Sequence, residues 1–204
     1  TDQVVEKLNH ANMIYIREKD SGIYDALNKG IKNSKGQIIG FLHADDVLKN
    51  RNTIKKIVNN FNNHNSDIVY GDLIYFNKHK PNKTYRYWKS GNFNTTYLGR
   101  GWMPPHPTLY VKKNIYLNEG LFDCKYKISA DYEWILRVFV QKKYNITYIP
   151  EVLVKMQTGG ISNYSLSNIY EKTIEDLEVI KSFKMSNFAV IRKNLSKLPQ
   201  LIGL

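Results

Sequence analysis

Apolar residues along this chain fall into two alternating patterns. Val4, Val5 and Leu8 share a helical face, and Met13–Ile16 follows as a short apolar run with strand character. Ile23, Ala26, Leu27 and Ile31 then recur at helical spacing, which predicts a helix over Ile23–Lys32. Ile38–Leu42 has no alternation and predicts a strand buried on both faces. Ile54, Ile57, Val58 and Phe61 predict a helix over Thr53–Asn62, and Asp67–Phe76 reads as another strand. The order strand, helix, strand, helix, strand predicts an α/β fold with a mainly parallel sheet flanked by helices.

The texture changes after Lys78. The stretch to Lys113 is basic, aromatic and rich in turn residues, with Lys83–Trp88 placed to pair back on the preceding strand. Gly91–Pro107 is long for a plain connection, and such loops often carry function. A helix over Asp131–Lys142 would turn Trp134, Ile135, Val138 and Phe139 inward. Strands at Ile146–Pro150 and Val152–Met156 follow, then a helix over Leu166–Lys184 with Ile169, Ile174, Leu177 and Ile180 inward. The segment from Lys181 onward carries Lys181, Lys184, Arg192, Lys193 and Lys197 and no carboxylate, interleaved with Phe188, Ile191, Leu195 and Leu198. That pattern suits an anionic membrane surface, or docking on the domain or a second subunit.

A length of 204 residues suits one domain with a sizeable core, and no apolar run reaches membrane-spanning length. The net charge of +12 points to an anionic partner, among which nucleic acid, anionic lipid and a phosphorylated substrate all qualify. Fifteen tyrosines suit a polar-aromatic groove such as a sugar site. The single Cys124 excludes an internal disulfide and points to a reducing compartment. The chain opens without Met and within a helical pattern, so part of the fold is expected upstream of Thr1.

Candidate chemistry begins where the buried run ends, at His43-Ala44-Asp45-Asp46. In open α/β sheets ligands bind at the carboxyl ends of strands. Adjacent carboxylates repel, and a hard cation such as Mg²⁺ or Mn²⁺ would hold both ionised. A helix cap or a solvated turn would explain the same pair. Asp131 opens a predicted helix, where the dipole stabilises its charge; an ordinary first-turn acid is the plain reading. His106 stands between prolines, and Gly159-Gly160 permits close backbone approach or merely a turn.

Four segments, in order, resemble the family 2 glycosyltransferases, inverting enzymes of the GT-A fold. They are "EKDSGIYDALNKGIKNSKGQIIGFLHADD", "WMPPHPTLYVKK" followed by "GLFD", "ISADYEWILR" and "TGGIS". The resemblance covers Glu18 to about Ser162 and implies a GT-A domain over residues 1–162 with its first strands missing, followed by a helical extension over 163–204. It implies that Asp25, Asn28, Lys29, His43, Ala44 and Asp45 face a nucleotide-sugar donor, that Asp45 and Asp46 hold a divalent metal (Mn²⁺ or Mg²⁺), and that Asp131 is the general base. His106, Trp134, Gly159 and Gly160 would lie on the acceptor or diphosphate side. His43 departs from the family's pattern, which has an acid there.

The expected function is sugar transfer with inversion to a glycan or lipid-linked acceptor in cell-surface polysaccharide synthesis. The expected place is the cytoplasm, peripheral on the inner face of a membrane through the basic tail, with a homo-oligomer as a further expectation. A sugar-phosphate nucleotidyltransferase would also use a metal at a sheet edge. A nucleic-acid-binding module would need aromatics lining a basic groove, and no recognition motif for one is present; a non-catalytic glycan-binding relative would explain His43.

Overall fold

One strand, apolar on both faces, organises the architecture. The computed structural model describes Val5 and residues 12–77, 80–158, 166–186 and 188–195. Its elements are α1 (Ile23–Asn33), β1 (Ile38–Gly40), β2 (Val47–Leu48), α2 (Thr53–His64), β3 (Ile68–Asn77), β4 (Lys80–Trp88) and α3 (Thr95–Leu98). A 3₁₀ turn (His106–Thr108) leads to β5 (Tyr110–Lys112), α4 (Lys113–Glu119), α5 (Ala130–Phe139), β6 (Ile146–Gln157), α6 (Leu166–Ser182) and α7 (Phe188–Leu195).

Successive residues of β3 enter opposite layers, as strand geometry requires. Ile68 and Tyr70 join a core with Trp134, Phe139 and Ile180, while Val69 and Leu73 join a second core with Ile57 and Phe61 of α2. The sheet therefore lies between α2 on one face and α1, α5, α6 and α7 on the other. Its order is β1-β5-β3-β6-β2, with β4 also pairing β3.

The α/β class holds, but the sheet is mixed rather than mainly parallel. Among the described strands only β3 and β6 pair in parallel. The helical crossover does bring β1 and β3 into the same direction, but β5 is inserted between them and runs antiparallel to both. Neighbouring elements in sequence are not always neighbours in a sheet, and the short β5 carried no signal of its insertion.

Other local expectations shift by a residue or two. β1 is shorter than the apolar run and buries Ile39, whereas Leu42 is exposed. Met13–Ile16 forms no ladder and its four side chains are exposed. In α1 the inward face is Tyr24, Asn28 and Ile31, with Ile23 outside. Ile54, Val58, Ile169 and Ile174 are likewise exposed. Two predicted strands merge into β6, whose register against β3 jumps from Gly71↔Ile149 to Asp72↔Val152. At that bulge Leu153 fills the space over Gly71, where an added Cβ would stand 2.5 Å from the Leu153 Cγ.

The described part of the basic C-terminal segment packs on the domain. Ala189, Val190 and Lys193 of α7 are buried, and Ala189 and Val190 join the main core beside Val179 and Ile180 of α6. Lys193 is thus removed from the cations expected to meet a membrane, because it lies on the helix's apolar face. Phe188 remains 72% exposed. The side chains of Ile191, Arg192 and Leu195, and all of Lys197 and Leu198, lie outside the described residues.

Candidate active site

A cleft of about 230 Å³ opens where α1, the β1 loop, the β3–β4 ribbon and the start of α5 converge. Its walls include Tyr24 and Leu27 from α1, His43, Tyr75, Arg86 and Trp88, with His106 and Asp131. Lys172 and Lys193 line it from the C-terminal helices.

Asp131 stands in the first turn of α5. Its Oδ1 accepts from the backbone N–H of Tyr132 at 2.8 Å, and the Tyr24 hydroxyl lies 3.1 Å away. The same hydroxyl is 2.7 Å from the Ile128 carbonyl oxygen. Burial, with Asp131 next in weight, pushes the Tyr24 phenol far above its ordinary range, so it stays protonated as a donor. One carboxylate oxygen is thereby oriented.

The loop after β1 makes a tight turn in which Asp46 N–H donates to the His43 carbonyl at 3.0 Å. Asp46 is buried, and its Oδ2 has no hydrogen-bond partner. Burial raises its carboxyl above the usual range, and Asp45 adds to this while His43 opposes it. Asp45 and Ala44 are exposed. Among the described residues no three His, Cys, Asp or Glu side chains cluster as a complete metal cage. Two adjacent carboxylates, one with an orphaned buried oxygen, do fit Mg²⁺, which is commonly held by one or two carboxylates plus substrate phosphate oxygens.

His106 sits among aromatic rings, 5.4 Å from Phe41 and 6.2 Å from His43 between ring centroids. Burial holds its pKa down to about 4, so the imidazole is neutral at ordinary pH. Opposite it, the Arg86 guanidinium stacks 4.8 Å from the Tyr75 ring centroid and 5.1 Å from that of Trp88. Cationic and aromatic walls of this kind suit a ligand carrying both phosphate and sugar faces.

Four of the expected site residues are engaged in contacts within the protein. Asn28 is buried and clamps Phe122, donating to its carbonyl at 2.9 Å and accepting from its N–H at 3.0 Å. Trp134 is wholly buried, stacked 4.4 Å from Tyr116, with Nε1 donating to the Gly120 carbonyl. Asp25 accepts from Ser21 N–H and hydroxyl at 3.0 Å each and tethers the start of α1. Lys29 pairs with Asp25 and Glu18 and donates to the Lys19 carbonyl, outside the cleft lining. Gly159 and Gly160 lie outside the described residues. The structure therefore brings His43, His106 and Asp131 to one cleft, with Asp46 buried in the loop beside it.

Sequence reading missed Tyr24, Arg86, Lys172 and Lys193. Tyr24 passed as a helix residue among fifteen tyrosines. Lys193 carried a usable signal, since it shares a helical face with Ala189 and Val190.

A family model described as glycosyl transferase family 2 matches residues 1–125. The chain belongs to glycosyl transferase family 2. A PGL/p-HBAD biosynthesis glycosyltransferase of Mycobacterium bovis is 27% identical over 182 residues, which is 88% of this chain. The chain spans 65% of that relative's length. The minor teichoic acid biosynthesis protein GgaB of Bacillus subtilis is 27% identical over 139 residues, 65% of this chain and 15% of that protein. The crystal structure of S. aureus TarS 1–349 superposes with a TM-score of 0.56 at 19% identity, covering 99% of this chain and 65% of that one. The same protein in complex with UDP-GlcNAc gives 0.54 at 17% identity, over 98% and 65%. The family 2 fold is accordingly GT-A-like, with a mixed sheet and flanking helices.

Proposed function

We propose that this chain is the catalytic domain of an inverting glycosyltransferase that moves a sugar from a nucleotide-diphosphate sugar to a glycan or lipid-linked acceptor, in cell-surface polysaccharide synthesis. The observation that carries the reading is Asp131, delivered into the cleft by a helix N-terminus with Oδ1 tethered by the Tyr132 N–H and Tyr24 near it. Family membership and relatives named for PGL/p-HBAD and minor teichoic acid biosynthesis support it. The UDP-GlcNAc complex of TarS supports a nucleotide-sugar donor.

In this reading an acceptor hydroxyl attacks the anomeric carbon from the face opposite the leaving group. The new C–O bond forms as the bond to the diphosphate breaks, and the nucleoside diphosphate departs with the electron pair. The acceptor proton passes to Asp131 Oδ2, an arrangement of general base catalysis. Tyr24 donates toward the developing carboxylic acid's other oxygen and keeps the carboxyl in line. Arg86, over Tyr75 and Trp88, provides positive charge and a flat apolar surface for the donor. A divalent cation held by Asp45 and Asp46 would supply Lewis-acid neutralisation of the departing diphosphate.

The deciding experiment is isothermal titration of the full-length protein with a panel of nucleotide sugars, UDP-GlcNAc first, with and without Mn²⁺. Metal-dependent binding of one donor, followed by transfer with inversion, is expected. Metal-independent binding of a nucleic acid in place of every nucleotide sugar overturns the reading.

A further inference from the structure

The turn that delivers Asp131 is held from the far end of the chain. Backbone N–H groups of Lys127, Ile128 and Ser129 donate to the Glu175 carboxylate at 2.8, 2.9 and 2.8 Å. Consecutive N–H groups ahead of a helix form an anion-binding concavity. Here a side chain from α6 occupies it. Ser129 stands at the N-cap of α5 but makes no side-chain cap bond there. Its hydroxyl donates instead to Asp176 Oδ1, at 2.8 Å.

Asp176 is completely buried and is the centre of a second set of contacts. It accepts from Lys172 Nζ at 2.7 Å and from Lys193 Nζ at 2.9 Å. Burial raises its carboxyl, and Lys193 and Lys172 more than offset that, so it stays ionised. The Lys193 Nζ also lies 3.2 Å from the ring centroid of Tyr132, the residue that follows Asp131. Both the turn before Asp131 and the ring after it are thus fixed by α6 and α7.

We propose that Glu175, Asp176 and Lys193 are positioning residues that hold Asp131 in its working geometry. The inference rests on Asp131 as the base. A clamp on three consecutive amides fixes where the helix begins, and the Ser129–Asp176 bond fixes the rotation of its first turn. The Lys193 contact holds Tyr132, whose N–H orients Asp131 Oδ1. Displacing a reacting group by about 1 Å costs roughly 10²-fold in rate. The C-terminal helices therefore act on turnover rather than on donor affinity.

The test uses the full-length protein and the donor identified by the panel above. Glu175→Ala is expected to speed amide hydrogen exchange at Lys127, Ile128 and Ser129. It should lower kcat at least about 10-fold, within the range set by misplacement, with KM for the donor essentially unchanged. Glu175→Gln, which keeps an acceptor oxygen, should recover most of the loss, and Lys193→Met should lower kcat with the same unchanged KM. Glu178→Gln, on the exposed side of α6, is the control and leaves both constants alone. Should Glu175→Ala fail to fold, Glu175→Asp retains the charge while retracting the carboxylate and is expected to show the same kcat loss. Wild-type kcat in Glu175→Ala, or in Glu175→Asp where the alanine variant does not fold, measured under conditions in which Asp131→Asn shows its loss of turnover, overturns the positioning role. Wild-type turnover in Asp131→Asn itself overturns the base assignment instead.

Discussion

The Tyr24 hydroxyl lies 3.1 Å from Asp131 Oδ1, joining residues 107 positions apart in sequence. Because the phenol also sits 2.7 Å from the Ile128 carbonyl, it is shared between the carboxylate and the turn that precedes it. Tyr24→Phe removes that link with little change in volume. Turnover is expected to fall several-fold and stability by about 1 kcal/mol, the usual size of one lost hydrogen bond. Steady-state kinetics and urea unfolding measured together check both.

Asp131→Asn should leave donor affinity near wild type and reduce kcat by about 10²-fold or more, the scale of general base catalysis. Titration calorimetry and kinetics separate the two quantities. A collapse of donor affinity with saturating turnover preserved makes Asp131 a binding residue.

Asp45→Ala tests the paired carboxylates from the exposed side. Its side chain is exposed, so the fold should persist. Metal-dependent transfer is expected to disappear with an unchanged melting curve. Full metal-dependent turnover in this variant removes Asp45 from the metal assignment.

His106 gives a pH dependence of stability. Its folded pKa of about 4 lies below the unfolded value, because burial disfavours the imidazolium. Between those values the unfolded chain binds more protons, so stability rises with pH. The contribution is complete above about pH 6.5 and is lost as pH falls through about 4, with a span of roughly 3 kcal/mol. Urea midpoints measured from pH 4 to 7 should climb for the wild type and climb less for His106→Leu.

Gly101 is the test of how α7 docks. It has φ +76°, and an added Cβ would stand 2.4 Å from the Ala189 carbonyl oxygen and 2.7 Å from the Lys193 Cβ. Gly101→Ala combines an unfavourable backbone with a clash and should cost about 1–3 kcal/mol. Hydrogen exchange should quicken in α7. The membrane question is separate: anionic liposomes that pellet intact and tail-deleted protein equally exclude the tail as an anchor.

The sequence was most readable where a period was long and unbroken. Trp134, Ile135, Val138 and Phe139 are all buried as their spacing predicted. β4 does pair back on β3, from Leu73↔Trp88 to Asn77↔Lys80. The insertion of β5 was not readable, because a three-residue strand has no period of its own. Asn28 and Trp134 show a different limit. A motif ties residue types to a family, but their roles depend on partners distant in sequence, here Phe122 and Gly120. Asp131 was singled out by the family resemblance, since its place at a helix start fits an ordinary first-turn acid equally well, and the structure puts it in the cleft wall. Glu175 and Asp176 carried no signal of their own, since nothing near them in sequence points to the turn at 127–129.

The pairing of β3 with β6 also bears on synthesis. A nearly continuous apolar strand is complete by Asn77, yet its parallel partner begins only at Ile146. A ribosome adding about 5–20 residues per second leaves that edge without β6 for several seconds. During this interval β4 can fold back on the opposite edge as a local hairpin, while the bare edge is open to pairing with another chain. The nascent protein thus passes through an aggregation-prone stage whose length is set by translation speed, and slower decoding between the two strands lengthens its exposure to chaperones and to misassembly alike.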